Sequence, residues 1–262
     1  MESAIGSRTM LAHRIIPTML VRGTQLVKGK QFNSWRSIGH AAQAAQIHAS
    51  RGVDELCILD IAATKKGTGP DINLCRMLSQ WCFTPLTVGG GVRTINDISS
   101  LLGAGADKVA IGSMLGDSEF ISESAARFGS QAIVASIDYR GFCVENGHGR
   151  VTMAHDDGDC PMHPLSWASH LEDLGVGEIL LTCIDREGMM EGFDLDMIRL
   201  LSSELKIPVI AHGGCGTPQH ALEAIEAGAS AVAIGSMFAF TDETPRSVAE
   251  YLNEHNQEVR LI

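Results

Sequence analysis

No stretch of this 262-residue chain stays apolar for the roughly 18–20 residues that a membrane span needs. Met1–Thr9 is polar and lacks the apolar segment of a signal peptide, so a cytoplasmic location is expected. Positive charge is scarce. Twenty Lys and Arg stand against 31 Asp and Glu, a formal charge of −11, which argues against nucleic acid or an anionic membrane as partner. An anionic small molecule is not excluded, because a nest of backbone amides can hold phosphate on an acidic protein. The chain has no CxxC, and its seven cysteines are odd in number. Buried, reduced thiols are the expectation. His148, His155, Cys160 and His163 cluster loosely, but their spacing matches no common zinc site. A loop is expected there, with no metal and no cofactor. No linker or low-complexity segment divides the chain. Residues 1–9 are expected to be a disordered or loosely held extension and residues 10–262 one domain.

The chain does contain a repeat. Residues 88–115 read VGGGVRTINDISSLLGAGADKVAIGSML and residues 211–238 read AHGGCGTPQHALEAIEAGASAVAIGSMF; without a gap, twelve of the 28 positions are identical. A repeat of that length points to a fold of two similar halves. Short β-branched runs alternate with amphipathic segments along the whole chain. Eight strands are expected: Arg14–Val21, Leu56–Ile61, Thr84–Val88, Lys108–Gly112, Ala132–Asp138, Glu178–Ile184, Ile207–Ala211 and Ala231–Gly235. Most are continuously hydrophobic, as parallel strands buried on both faces should be. Helices are expected between them, the first over Ile38–Arg51 and others including Ser118–Phe128 and Pro218–Glu226, with capping residues such as Thr94 and Thr217 at helix starts. Eight such units in about 250 residues predict an α/β fold, a single (β/α)₈ TIM barrel with two-fold half-barrel repeat. In the second half Gly175-Val176-Gly177-Glu178 echoes Gly52-Val53-Asp54-Glu55, and Ser136-Ile137-Asp138 answers Thr18-Met19-Leu20.

In such a barrel the chemistry lies at the C-terminal ends of the strands. Asp60, Asp138 and Asp185 end strands 2, 5 and 6, and Lys28 lies in the loop after strand 1. A carboxylate there can hold a hydroxyl or move a proton, or can merely cap the next loop. Two phosphate sites are expected. Gly90 and Gly91 pair with Gly112 and Ser113; Gly213 and Gly214 pair with Gly235 and Ser236. Glycine lets an amide approach an oxyanion closely, and a helix start adds favourable partial charge. Two sites on one mouth imply a small molecule phosphorylated at both ends. At the opposite face Arg14, Glu55, Lys108 and Glu178 each start a strand. Charges entering a barrel floor are tolerated when they pair, so a salt-bridge ring is expected.

From Met10 onward the chain resembles the cyclase subunit family of imidazole glycerol phosphate synthase. The matching motifs are MLAHRIIP, LVKG, DELCILDI, VGGGV, GADKV, FGSQAIVASID, GEILLTCIDREG, GFD, HGGCG and the terminal VRLI. The resemblance implies a class I glutaminase partner docked on the barrel bottom, with ammonia passing through a gate formed by Arg14, Glu55, Lys108 and Glu178. It implies a bisphosphorylated ribulosyl nucleotide as the family's substrate. Asp138 corresponds to one of two catalytic aspartates, and Lys28 and Asp60 match further active-site positions. The loop match around DREG adds Gly188 to the phosphate-binding set.

The departures matter as much. The family's other catalytic aspartate falls on Leu20, which can neither donate nor accept a proton. Gly112-Ser113 stands where Asn-Thr is usual, Glu187 replaces Asp, and Arg140–Pro164 lacks the usual glycine-lysine-threonine pattern. The pattern resembles a paralogous branch that supplies ammonia, with a sugar ligase as third component, for acetamidino modification of a sugar in surface polysaccharide synthesis. An ordinary cyclase of histidine synthesis and a non-catalytic activator of the glutaminase are the alternative readings.

Overall fold

The computed structural model describes residues 12–143, 148–152, 159–160 and 162–261. Eight parallel strands close on themselves: β1 (Arg14–Arg22), β4 (Leu56–Asp60), β5 (Leu86–Gly89), β6 (Lys108–Ile111), β7 (Ile133–Cys143), β10 (Glu178–Cys183), β11 (Val209–His212) and β12 (Ala231–Ile234). Each lies in the segment expected for it, with ends moved by a few residues. The expected strands 3 and 7 begin two residues later, at Leu86 and Val209, just beyond Pro85 and Pro208. The proline carbonyls already accept Leu56 N and Ile179 N at 2.9 and 3.0 Å, but proline has no N–H to donate, so the full ladder begins at the residue after it.

Alternation along each strand divides the core in two. Ile15, Met19, Ile58, Val109, Ile179 and Val232 face outward and pack against the helices. Ile16, Cys57, Ala110, Val134, Leu180, Ile210, Ala231 and Ala233 face inward and fill the barrel axis. With both faces of the strands buried, period-2 polarity disappears, as parallel sheets require.

The helices follow their capping chemistry. Thr94 caps α4 (Ile95–Gly103) in a reciprocal box with Asp97, and Thr217 accepts from His220 N at the start of α8 (Pro218–Glu226). Two expected helices, α5 (Ser118–Phe128) and α8, appear with the bounds read from sequence. The first does not. Residues 38–40 belong to β3 (Asn33–His40), which pairs antiparallel with β2 (Gln25–Lys30), and α1 covers only Ala41–Ser50. Pairing of Val27 with Ser37 and Gln25 with His40 satisfies backbone groups that a helix would otherwise have used. Lys28 therefore stands on a hairpin strand, not on an irregular loop. Beyond the barrel, β7 runs on to pair antiparallel with β8 (His148–Thr152), which pairs with β9 (Asp159–Cys160). Residues 1–11 lie outside the described residues, as does His155. Of the loose His and Cys cluster, His163 is described: its Nδ1 accepts Leu165 N and caps α6 (Pro164–Asp173). Cys57, Cys75, Cys82, Cys183 and Cys215 are buried free thiols. Among the described residues no helix is long and apolar enough to cross a membrane.

Candidate functional site

The barrel floor carries the four charges as a closed ring. Glu55 Oε2 accepts Arg14 Nη1 at 2.7 Å and Lys108 Nζ at 2.9 Å; Glu178 accepts Arg14 Nη2 at 2.8 Å and Lys108 Nζ at 2.9 Å. Thr87 donates to the remaining Glu55 oxygen at 2.6 Å. Burial opposes the charge on Arg14, but Glu178 and Glu55 raise its pKa overall. Every strand involved begins at this face, so the four side chains meet because the strand register brings their first inward positions level.

At the other end lies the cavity of the mouth. Leu20, Leu59, Asp60, Asp138, Thr182 and His212 line it from the strand ends, together with Gly90, Gly91, Gly112 and Ser113. Phe32 and Trp35 reach over it from the β2–β3 hairpin. The mouth is divided by polarity. Leu20 and Leu59 pair across β1 and β4, whereas Asp138, Thr182 and His212 stand level on β7, β10 and β11.

Asp138 has its pKa raised to about 7, chiefly because burial disfavours the carboxylate. A hydrogen bond with Thr182 opposes that rise, and the charge of Glu187 adds to it. Lys28 is only 3% exposed, and burial lowers its pKa while Glu187 pulls it back. Its Nζ approaches Thr18 O at 3.5 Å. Asp60 borders the cavity, and its Oδ1 accepts Ala62 N at 2.8 Å to shape the turn, as a loop-capping carboxylate would. Asp185 is different. Its side chain is 44% exposed, accepts Gly141 N at 2.7 Å and pairs with Arg140 at 3.3 Å, so it fastens the loop after β10 to the far end of β7, and it does not line the cavity.

The two glycine sets also differ. Gly90, Gly91, Gly112 and Ser113 border the cavity, and a side chain on Gly112 would meet no atom nearer than 3.7 Å. Gly213, Gly214, Gly235 and Ser236 are not among the residues that border it. Gly214, at φ +114°, passes so close to the Gly192 carbonyl that no Cβ fits there. Gly235 lies against Lys28 Nζ, and Gly188 against the Gly29 carbonyl. The hairpin is tied down here: Gln31 N donates to Glu187 O and Gln31 Nε2 to Asp185 O, both at 2.8 Å. The Ser236 hydroxyl is buried and has no hydrogen-bond partner among the described residues.

A ring of charges at the floor and an acid-lined mouth thus stand at opposite ends of one apolar axis. Comparison with known proteins identifies the lineage, through a match over residues 14–244. The chain belongs to the histidine biosynthesis protein family. Within it the chain is a HisF-like member of the imidazole glycerol phosphate synthase group. It is 42% identical over 259 residues to a Campylobacter jejuni protein named as a candidate imidazole glycerol phosphate synthase subunit hisF2, covering 97% of this chain and all of that one. It is 40% identical over 257 residues to the imidazole glycerol phosphate synthase subunit HisF of Campylobacter concisus, covering 95% and 98% of the two chains.

Against this HisF-like frame, three side chains at the mouth had escaped the sequence reading as site residues. Thr182 and His212 point into it, and Glu187, noted only as a replacement, is buried beside them at 4% exposure. The repeat carried the signal for His212. Aligning the halves sets it against Gly89, where a Cβ would come within 2.9 Å of both Ala110 and Leu59. One half has no room at that position; the other places a buried imidazole there.

Proposed function

We propose that this HisF-like chain is the ammonia-accepting synthase subunit of a glutamine amidotransferase system. In this reading a class I glutaminase docks on the barrel floor, and ammonia passes the ring of Arg14, Glu55, Lys108 and Glu178. The product is an acetamidino-modified sugar for surface polysaccharide, with a sugar ligase as third component, in the cytoplasm. One observation carries the reading: a closed four-charge ring lies below a mouth whose Asp138 faces Leu20 instead of a second carboxylate. Ring closure of a ribulosyl nucleotide needs proton donation and removal at separate points, and leucine supplies neither. Delivery of ammonia needs only the floor and the axis.

The phosphorylated ligand rests its phosphates on Gly90, Gly91, Gly112 and Ser113 at one end and on Gly188, Gly213, Gly214, Gly235 and Ser236 at the other. Lys28, Asp60 and Asp138 meet the part between. The ordinary cyclase of histidine synthesis is the second reading, favoured by identity of 40% spread over 95% of the chain to a protein named HisF.

The purified chain, supplied with the ribulosyl nucleotide and an ammonium salt, separates the two. Turnover depressed by orders of magnitude is expected, and near-normal cyclisation overturns the sugar reading. Leu20→Asp raises cyclisation if the remainder of a cyclase site survives. Mass spectrometry of the chain mixed with its glutaminase and sugar ligase should find one carbonyl oxygen exchanged for NH. Glutamine hydrolysis without any transfer would instead mark a non-catalytic activator.

A further inference from the structure

His212 occupies a place that the functional reading leaves unused. Its Cα is the register partner of Thr182 on β10, and Thr182 is in turn the partner of Asp138 on β7. The three side chains thus stand abreast at one level of the barrel, with Asp138 and His212 about 10 Å apart across two strand spacings. The Thr182 hydroxyl stands between them: its Oγ1 lies 3.1 Å from His212 Nδ1, and it neighbours the Asp138 carboxyl, whose pKa it helps to hold down. The far nitrogen, Nε2, has no hydrogen-bond partner among the described residues, though the ring is 4% exposed. Glu187 Oε2 waits 3.8 Å from it, too far for a hydrogen bond but near enough to pair with an imidazolium. Below the ring lie Leu180 and Ile210 of the apolar axis. A buried polar atom without a partner calls for an explanation, and a site for a transient one supplies it.

We propose that His212 Nε2 is the base that takes a proton from nitrogen arriving along the barrel axis, forming with Asp138 the acid/base pair that Leu20 does not provide. The proposal rests on the ammonia-accepting reading. Nitrogen adds to a carbonyl carbon of the acceptor: the N–C bond forms, the carbonyl π pair moves to oxygen, and that oxygen takes the Asp138 proton. The cationic nitrogen gives one proton to His212. On collapse the hydroxyl leaves as water with the imidazolium proton, and the resulting iminium returns a proton to the Asp138 carboxylate. The sum is ammonia plus carbonyl giving imine plus water, with both groups restored. Every charged group around the ring fits this cycle. Glu187 favours the imidazolium, whereas burial and Lys28 keep the resting imidazole neutral and able to accept.

Two measurements test it on the full-length chain. In whichever assay yields product, ammonium-driven turnover by His212→Ala and His212→Gln should fall about 100-fold in kcat. KM for ammonium should stay within about threefold, the acidic limb of the pH profile should disappear, and free imidazole should restore part of the His212→Ala rate. Turnover within about threefold of the parent with an unchanged profile would overturn the proposal. The second measurement needs no substrate: the ¹³C-labelled histidine resonances are followed against pH. The His212 midpoint should move when Asp138→Asn or Thr182→Val is introduced; indifference to both also overturns it. Absence of product from the parent chain in every assay would count against the ammonia reading, and the resonance titration would then decide His212 alone.

Discussion

Arg14 and Lys108 share one carboxylate oxygen, Glu55 Oε2, at 2.7 and 2.9 Å. Two cations entering the same end of a barrel would repel each other, even with β4 and β5 between their strands. A single acceptor that is 3% exposed, fixed further by Thr87, turns that repulsion into a bridge.

Replacing Glu55 with Gln should therefore cost about 2–4 kcal/mol, since both cations lose the more buried of the two carboxylates they share. Arg14 and Lys108 keep 23% and 17% exposure, so water recovers part of the loss. Glu178→Gln, at a position 12% exposed, should cost less. Urea unfolding of the two variants measures both values, and equal midpoints would count against the shared-acceptor account.

The Asp138 carboxyl titrates at about 7 in the folded chain, against an ordinary value of 3.8. The folded state thus binds this proton more tightly than the unfolded state between those values. The associated stability is complete below about pH 4 and is lost as pH rises through 7, a loss of about 2–4 kcal/mol. Asp138→Asn should flatten that slope. Urea titrations at about pH 4, 6 and 8 would show the parent falling relative to the variant; parallel curves would contradict it.

Ser236→Ala should act in opposite directions on two properties. Removing a buried hydroxyl that has no partner among the described residues should stabilise the free chain by up to about 1 kcal/mol. If this hydroxyl serves a phosphate, the same change should weaken inorganic phosphate binding about tenfold, while Ser113→Ala weakens it at the other end without the gain in stability. Thermal melts with and without phosphate read both quantities.

Phe83 lies on the floor side, before the start of β5, and is 97% exposed, with Trp81 nearby at 56%. Phe83→Ala should leave unfolding within about 0.5 kcal/mol of the parent. Binding to the class I glutaminase should weaken by about 1–2 kcal/mol if that partner covers the floor. Calorimetry of the pair checks it, and unchanged affinity would place the partner elsewhere.

The sequence determined the barrel. Its repeat, its eight unbroken apolar runs and its threonine caps each encode local or neighbouring interactions, so strands and helices emerge close to where the letters put them. It also determined the floor, because four charges at equivalent strand starts have nowhere to go but toward one another. Asp60 and Asp138 were legible for the same reason, each being a polar end to an apolar strand.

Only the tertiary structure decided the mouth. The β2–β3 hairpin folds back because pairing with β1 and the Gln31 contacts to the loop after β10 outweigh a longer first helix. That return carries Lys28 inward against Gly235, sets Gly29 against Gly188, and brings Phe32 and Trp35 to the cavity of the first glycine set. Asp185, alike in sequence to the other strand-end aspartates, turns outward to Arg140 and Gly141. His212, Thr182 and Glu187 converge from a strand end, its neighbour and a loop, at distances set by register and burial. No local pattern of side chains records such a convergence, since it arises when the ring of strands closes.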